Sequence, residues 1–303
     1  MILAVSIELP YYIEAPGGTI NLSKRIDKNY NKKNGSLNML YVTEFKGNIV
    51  TVLLSKVIKT WDLYEISNQQ VSNESSEDIY IRNKVMLENS INNATYVAYK
   101  EAGKNISIKS KENIVIATTK DNGMEIGDNI ISVDDILVEN INTIKDYLKT
   151  LNSGDVVTVK FKRNNKEKEV KITLDEDKII GIMMITNYEY DTDEELDIAF
   201  KSGEGGSSGG LVLTLGIYSK ITGIDLLKGR NIAGTGTIDI DGNIGEIDGI
   251  KYKIAGAVRN KMDVVLVSPY NYEEAIQVVK DNNYNIDIIK VNTFKEAIDY
   301  LNK

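Results

Sequence analysis

The chain has 303 residues, 42% hydrophobic and 26% charged, the composition of a folded globular protein of one large or two smaller domains. It contains no Cys and no His, which removes disulfides, thiolate and imidazole metal sites, cysteine nucleophiles and any Ser-His-Asp triad. With 36 basic and 44 acidic residues the net charge is −8, so nothing favours a nucleic-acid partner. Catalysis in such a chain rests on carboxylates, Lys, Ser, Thr, Tyr or a metal held by oxygens.

The opening run Met1–Leu9 (MILAVSIEL) is apolar but shorter than the roughly 18 residues of a membrane span, and it lacks a basic leader. It reads as a first strand or as the stump of an anchor. Pro16-Gly17-Gly18 punctuates the segment that follows. The run LNMLYVTEF after Asn34-Gly35 and the run IVTVLLSKV after Lys46-Gly47-Asn48 read as the two strands of a hairpin. A polar stretch, Ser67 to Asp78, then leads to a helix. Its stripe is Leu87, Ile91, Ala94 and Ala98, and Gly103 suits its C-terminal cap.

The texture changes near residue 112. ENIVIATT and GDNIISVDDILVEN are strand-like, and a short helix carries Ile144, Leu148 and Leu151 on one face. VTVKFKR and EVKITL alternate with period two about an Asn164-Asn165 turn. After a solvated acidic loop, Asp191–Asp197, comes Gly203-Glu-Gly-Gly-Ser-Ser-Gly-Gly210. The remainder alternates helix with strand, as in DVVLVSP, EEAIQVVKD, IDIIKV and TFKEAIDYL, an α/β pattern. Asp239-Ile-Asp241-Gly-Asn243 fails the spacing of a calcium loop and reads as a turn.

The glycine-rich run lacks the Lys of a phosphate loop and the last Gly of a dinucleotide turn. Two readings stay open. Ser207 or Ser208 caps the following helix, or a serine nucleophile stands where free helix N–H groups can hold an oxyanion. Without His, the base for such a serine is a lysine kept neutral by burial. Lys253 lies within the stripe of Ile250, Ile254 and Ala257, whereas Lys251 falls off it and reads as solvated. Lowering a lysine from ~10.4 to about 8 takes roughly 3 kcal/mol of differential solvation.

GGSSGGL (Gly205–Leu211) resembles the nucleophile motif of Lon-type Ser–Lys proteases, and IAGTGTIDIDGNIGEIDGIKYK (Ile232–Lys253) is similar to the segment that carries their lysine. By that resemblance Ser208 matches the nucleophile and Lys253 the general base. Thr235 of Gly234-Thr235-Gly236 matches the hydroxyl that orients the lysine, and backbone N–H groups from Gly206 and Ser207 to Ser208 match the oxyanion site. Ser207 stands where the family has Pro, and Gly209 where it has Ala. Gly127-Asp128-Asn129-Ile130-Ile131, the helix near Tyr147 and the closing hairpin resemble a bacterial PDZ domain, without a clear apolar-Gly-apolar carboxylate-binding loop. LPYYIEAPGGTINL and VMLENSINNATYVAYKEAG are similar to the membrane-anchored, PDZ-containing Lon-like proteases of Gram-positive bacteria (YlbL-like).

The resemblance implies an α+β / α/β fold. In it a Lon-type proteolytic domain, split into residues 1–111 and 185–303, carries a PDZ-like insertion at 112–184. It implies an ATP-independent serine endopeptidase with no cofactor, acting by limited processing on exported peptides or unfolded protein segments. A peptide ligand for the PDZ-like module and hexameric self-association belong to the same implication. So does the outer face of the cell membrane, reached through a transmembrane helix upstream of Met1. Two rivals stay open: a non-catalytic PDZ-centred adaptor or scaffold, and an esterase or amidase with the same dyad.

Overall fold

The computed structural model describes residues 7–26, 35–65, 74–194 and 196–303. Most of the opening apolar run, Asn34, part of the polar stretch after Ser67 and Glu195 of the acidic loop lie outside the described residues. Strands and helices are both present, and the buried apolar side chains among the described residues form three clusters. Among the described residues no helix is long and apolar enough to cross a membrane.

The first sheet holds six strands: β1 (Glu8–Asn21), β2 (Ser36–Asn48), β3 (Asp62–Glu65), β10 (Asn231–Thr235), β13 (Val264–Val267) and β14 (Asp287–Lys290). Their order is β14-β13-β10-β2-β1-β3; the four from β14 to β2 run parallel, and β1 and β3 are antiparallel additions. α2 (Ser76–Glu101) and α4 (Gly210–Thr222) pack together over this sheet. Leu211, Val212, Leu213, Leu215 and Ile217 of α4 have no exposed surface, because a helix apolar on all sides must be enclosed. The stripe on α2 is buried as its spacing predicts, with Ile91 at its margin, and Gly103 ends the helix at φ +66°. On the other face of the sheet lies α5 (Ile250–Arg259), with α6 (Tyr272–Asp281) beside it; α7 (Phe294–Asn302) completes the first core.

The second sheet, order β8-β7-β5-β4-β9, is built from β4 (Ile106–Thr118), β5 (Asn129–Val133), β7 (Val156–Arg163), β8 (Lys166–Thr173) and β9 (Ile182–Thr192), with β6 (Ile136–Leu137) paired to β5. Its core gathers Val115, Ile130, Val157, Val159, Phe161 and Leu174 around Ile144 and Leu148 of α3 (Ile141–Lys149). The Asn164-Asn165 turn joins β7 to β8 with both residues at positive φ, as a tight hairpin requires. The Asp239 segment is a turn between β11 (Thr237–Ile238) and β12 (Ile244–Gly245), where the Asp239 carboxylate accepts the N–H groups of Asp241 and Asn243.

Three expectations change. IVTVLLSKV is no strand: Ile49–Ser55 forms a helix, α1. Asn48 and Thr51 close a capping box, and both edges of β2 are already taken by β1 and β10, so the β-branched run finds no partner strand. Pro16-Gly17-Gly18 does not end a strand but makes a bulge inside β1, where a Cβ on Gly17 would stand 2.1 Å from the Tyr41 carbonyl oxygen. The acidic loop is not simply solvated. Its Glu194 carbonyl accepts the buried Tyr99 hydroxyl at 2.8 Å, and its carboxylate pairs with Lys104 at 3.2 Å.

α4 enters the core at a point with no spare room, since a Cβ on Gly210 would lie 2.7 Å from Ile238 Cγ2 and 2.8 Å from its backbone nitrogen. Gly210→Ala is therefore expected to lower stability by about 1–3 kcal/mol through overpacking. The midpoint of urea denaturation measures it, and an unchanged midpoint would mean that α4 shifts freely.

Candidate active site

Ser208 stands in the turn that leads into α4. The N-cap of that helix is Gly209, and no side chain caps it. Neither Ser207 nor Ser208 serves as the cap, which corrects that reading and leaves both hydroxyls uncommitted. The turn is fixed from its backbone instead. The Ser208 carbonyl accepts the Gly236 N–H at 2.9 Å and the Thr235 hydroxyl at 3.2 Å. The Ser207 carbonyl accepts Ser90 Oγ at 3.3 Å, and the Gly206 N–H donates to the Asn83 carbonyl at 2.9 Å. Asn83 and Ser90 of α2 thus hold the loop from outside. Their polar places on an amphipathic helix gave no sequence signal of this role.

Thr235 is fully buried, and its hydroxyl donates to the backbone of Ser208 rather than pairing with Lys253. The oxygen keeps lone pairs that a lysine could use. The Gly206 N–H is already bonded to Asn83, so it is not a free oxyanion donor. Among the described residues the N–H groups of Ser207, Ser208 and Gly209 have no acceptor. They are orphan donors at a helix start. Gly209 matters sterically: a Cβ there would lie 2.0 Å from Met39 Cε, so the methionine methyl fills the place that a side chain would take.

Lys253 is 3% exposed on α5, between Ile250 and Ile254, as the stripe predicts. Burial lowers its pKa from 10.5 to about 8, against the opposing pull of Asp248 and Glu14. Glu14 is itself a weakened counter-charge. Burial pushes its carboxyl up, and Glu44, directly opposite on β2, adds like-charge repulsion. Lys251 behaves differently. It pairs with Asp62 and lies 4.9 Å from the Tyr252 ring, so it is engaged rather than merely solvated. Burial raises Asp62, but hydrogen bonds from Lys251 and Tyr252 outweigh this and hold it below the usual range.

Ser208 and Lys253 line one cleft of about 1180 Å³, together with Met39, Leu87, Phe200 and Asp248. Among the described residues no hydrogen bond joins Ser208 Oγ to Lys253 Nζ, and neither atom has another partner. The ion pair Arg25–Glu204, at 2.5 Å, braces the loop that forms one wall, and the Arg82–Glu74 pair lies on the other. No group of acidic side chains among the described residues has the arrangement of a metal site.

Comparison with known families bears on this site. Residues 187–302 match the Lon protease (S16) C-terminal proteolytic domain, and residues 84–174 match the PDZ domain. The chain carries a Lon-type proteolytic domain. Among curated proteins it is 33% identical over 95 residues to a Lon protease of Neorickettsia sennetsu, covering 31% of this chain and 11% of that one. It is 27% identical over 138 residues to a Lon protease of Campylobacter jejuni, covering 43% and 17%. A putative zinc metalloprotease of Borreliella burgdorferi is 44% identical over 61 residues, covering 20% and 14%. These matches span less than a fifth of the relatives' own lengths. A solved PDZ domain of an SdrC-like protein from Listeria monocytogenes aligns with 22% identity and a TM-score of 0.24, covering 26% of this chain and 93% of that one.

Within the Lon-type domain lie Ser208, Thr235 and Lys253. The PDZ match begins inside α2, whose buried face belongs to the first core, and stops short of β9. Here the structure supplies the apolar-Gly-apolar triplet that was absent from the expected part of the sequence. Ile180-Gly181-Ile182 follows the hairpin and leads into β9, the last strand of the second sheet. Gly181 has φ +76°, its carbonyl accepts the Thr119 N–H at 2.9 Å, and the N–H groups of Ile180 and Gly181 have no acceptor among the described residues. Ile182 and Met184 pack with Ile144 and Leu148 of the neighbouring helix α3. The triplet was missed because it stands after the hairpin rather than before the module's first strand.

A buried lysine that ionises weakens the fold. Below pH 8 Lys253 is charged in both states and the folded chain bears the full penalty, about 3 kcal/mol for a shift from 10.5 to about 8. Between pH 8 and 10.5 the unfolded chain binds the extra proton, so stability rises. Lys253→Met is accordingly expected to stabilise the protein by up to about 3 kcal/mol at pH 7, the gain shrinking above pH 8. Chemical denaturation across that range checks it; a destabilised variant would show that the lysine is held by partners.

Proposed function

We propose that this protein is an ATP-independent serine endopeptidase whose nucleophile is Ser208 and whose general base is Lys253. The observation that carries the reading is a lysine 3% exposed, with its pKa near 8, in the same cleft as a serine hydroxyl that has no other partner. Ser208 Oγ attacks the peptide carbonyl while neutral Lys253 Nζ takes its proton. The tetrahedral oxyanion rests on the free N–H groups of Ser207, Ser208 and Gly209. The C–N bond then breaks, the lysine returns the proton to the leaving amine, and water hydrolyses the acyl-enzyme by the same exchange. Thr235 holds the serine turn through its carbonyl and offers a lone pair to Nζ once the lysine swings in.

We assign residues 1–111 and 185–303 to the protease and 112–184 to the PDZ-like module. The buried residues of the second core all fall between Val115 and Met184, which supports that division. Flexible segments of peptides or proteins are the proposed substrates, since a chain must be extended to place its carbonyl between Ser208 and the N–H groups of the turn. The second module is proposed to take an extended peptide with a free C-terminal carboxylate on the outer edge of β9, its carboxylate on the N–H groups of Ile180 and Gly181. α2 covers that edge from Thr186, whose carbonyl accepts Asn89 Nδ2 at 3.1 Å, so the free stretch is only a few residues long.

Cleavage of casein by the whole chain tests the dyad. Ser208→Ala and Lys253→Ala are each expected to lower turnover by about 10³-fold or more, while Lys280→Ala, on the exposed side of α6, leaves it unchanged. Turnover surviving in either dyad variant would overturn the assignment. For the second module, fluorescence anisotropy with an apolar-ended peptide is expected to show binding that its C-terminal amide loses. Equal binding of acid and amide would contradict a carboxylate site.

A further inference from the structure

α1 is turned inside out. Its polar Thr51 and Ser55 bond back to the helix's own backbone, while Ile49, Val50, Leu53, Leu54 and Val57 face solvent. Leu53 is 60% and Val57 78% exposed. The first four of these positions fall at i, i+1, i+4 and i+5, one helical face, and Val57 follows in the turn just past the helix. Val52, half-buried, packs on the β1–β2 side, its Cγ2 3.0 Å from where a Gly47 Cβ would stand. The outward face is thus an exposed apolar surface.

Its charge is equally one-sided. Between Glu44 and Asp62 the chain carries Lys46, Lys56 and Lys59 and no acidic residue, in a protein of net charge −8. Lys46 pairs with Glu8 at 3.1 Å, and Lys56 and Lys59 are exposed just past the C-terminal end of α1, either side of Val57 in the chain. Trp61 follows, packed edge-on against Phe45. Apolar side chains rimmed by lysines and followed by an amphipathic aromatic ring suit the boundary between lipid headgroups and acyl chains. A general protein partner would not require the local reversal of sign.

We propose that the α1 face docks on an anionic lipid surface, with its aliphatic side chains in the headgroup boundary and Lys56 and Lys59 on lipid phosphates. The cleft begins close by, because Tyr12 and Glu44 line it and pair with Lys46 and Glu14 across the same β1–β2 ribbon. A docked α1 therefore sets the cleft beside the bilayer, within reach of segments that emerge from it. The proposal stands on α1 alone and does not depend on the Ser208–Lys253 chemistry.

Co-sedimentation of the 303-residue chain with phosphatidylglycerol and with phosphatidylcholine vesicles tests it. Binding is expected to the first, to fall with salt, and to be about tenfold or more weaker in Leu53→Asp/Val57→Asp and in Lys56→Glu/Lys59→Glu. Tyr270→Asp, at an exposed site elsewhere, should bind like the parent. All substitutions lie on the surface, and unchanged circular dichroism verifies the fold. Absence of vesicle binding, or equal binding by every variant, would overturn the proposal. So would a dimer in sedimentation equilibrium that Leu53→Asp/Val57→Asp dissolves, if vesicles do not bind, since the face would then cover a second copy.

Discussion

A lysine ammonium excluded from water is unstable unless something pairs with it, and Lys253 has no hydrogen-bond partner among the described residues. The walls that exclude water from it are the apolar side chains of α5 and the β1–β2 ribbon beneath. Glu14 and Asp248 pull the other way, yet Glu14 is itself half-buried and opposed by Glu44, so its charge is a poor anchor. The balance leaves an amine that gives up its proton near pH 8. Much of the surrounding architecture serves to keep that amine dry and to bring a serine to the same cleft.

The serine turn is held by the opposite strategy, with the carbonyls of Ser207 and Ser208 occupied and the hydroxyl and N–H groups left without partners among the described residues. The Gly236 N–H and the Thr235 and Ser90 hydroxyls donate to its carbonyls, and the Gly206 N–H donates to the Asn83 carbonyl. The hydroxyl of Ser208 and three N–H groups remain available. Ser208 and Lys253 share the cleft without a hydrogen bond between their side chains, so the proposed reaction requires the lysine side chain or the loop to move. A cleft of this size, with one wall braced by the Arg25–Glu204 pair, leaves room for it.

Legibility in the sequence followed the physics of each feature. Lys253 was legible because burial on a helix writes itself as a 3.6-residue stripe, and the stripe includes it. The second sheet was legible from period-two alternation and the Asn164-Asn165 turn. The helix of Ile49–Ser55 was not, because its residues favour strands and only the Asn48–Thr51 capping box and the occupied edges of β2 decide otherwise. Asn83, Ser90, Glu14 and Met39 act through contacts far apart in sequence, where no local pattern exists. Ile180-Gly181-Ile182 was present in the letters but stood on the unexpected side of its module.

The most direct test of the account is acylation of the folded chain by an activated peptidyl ester, followed over pH with the modified residue mapped by mass spectrometry. The account predicts an acyl group on Ser208, formed at a rate that rises through pH 8 as Lys253 loses its proton, and no acylation in Lys253→Met. Acylation of Ser207, or of Ser208 at a rate unchanged between pH 6 and pH 10 by order of magnitude, would contradict it.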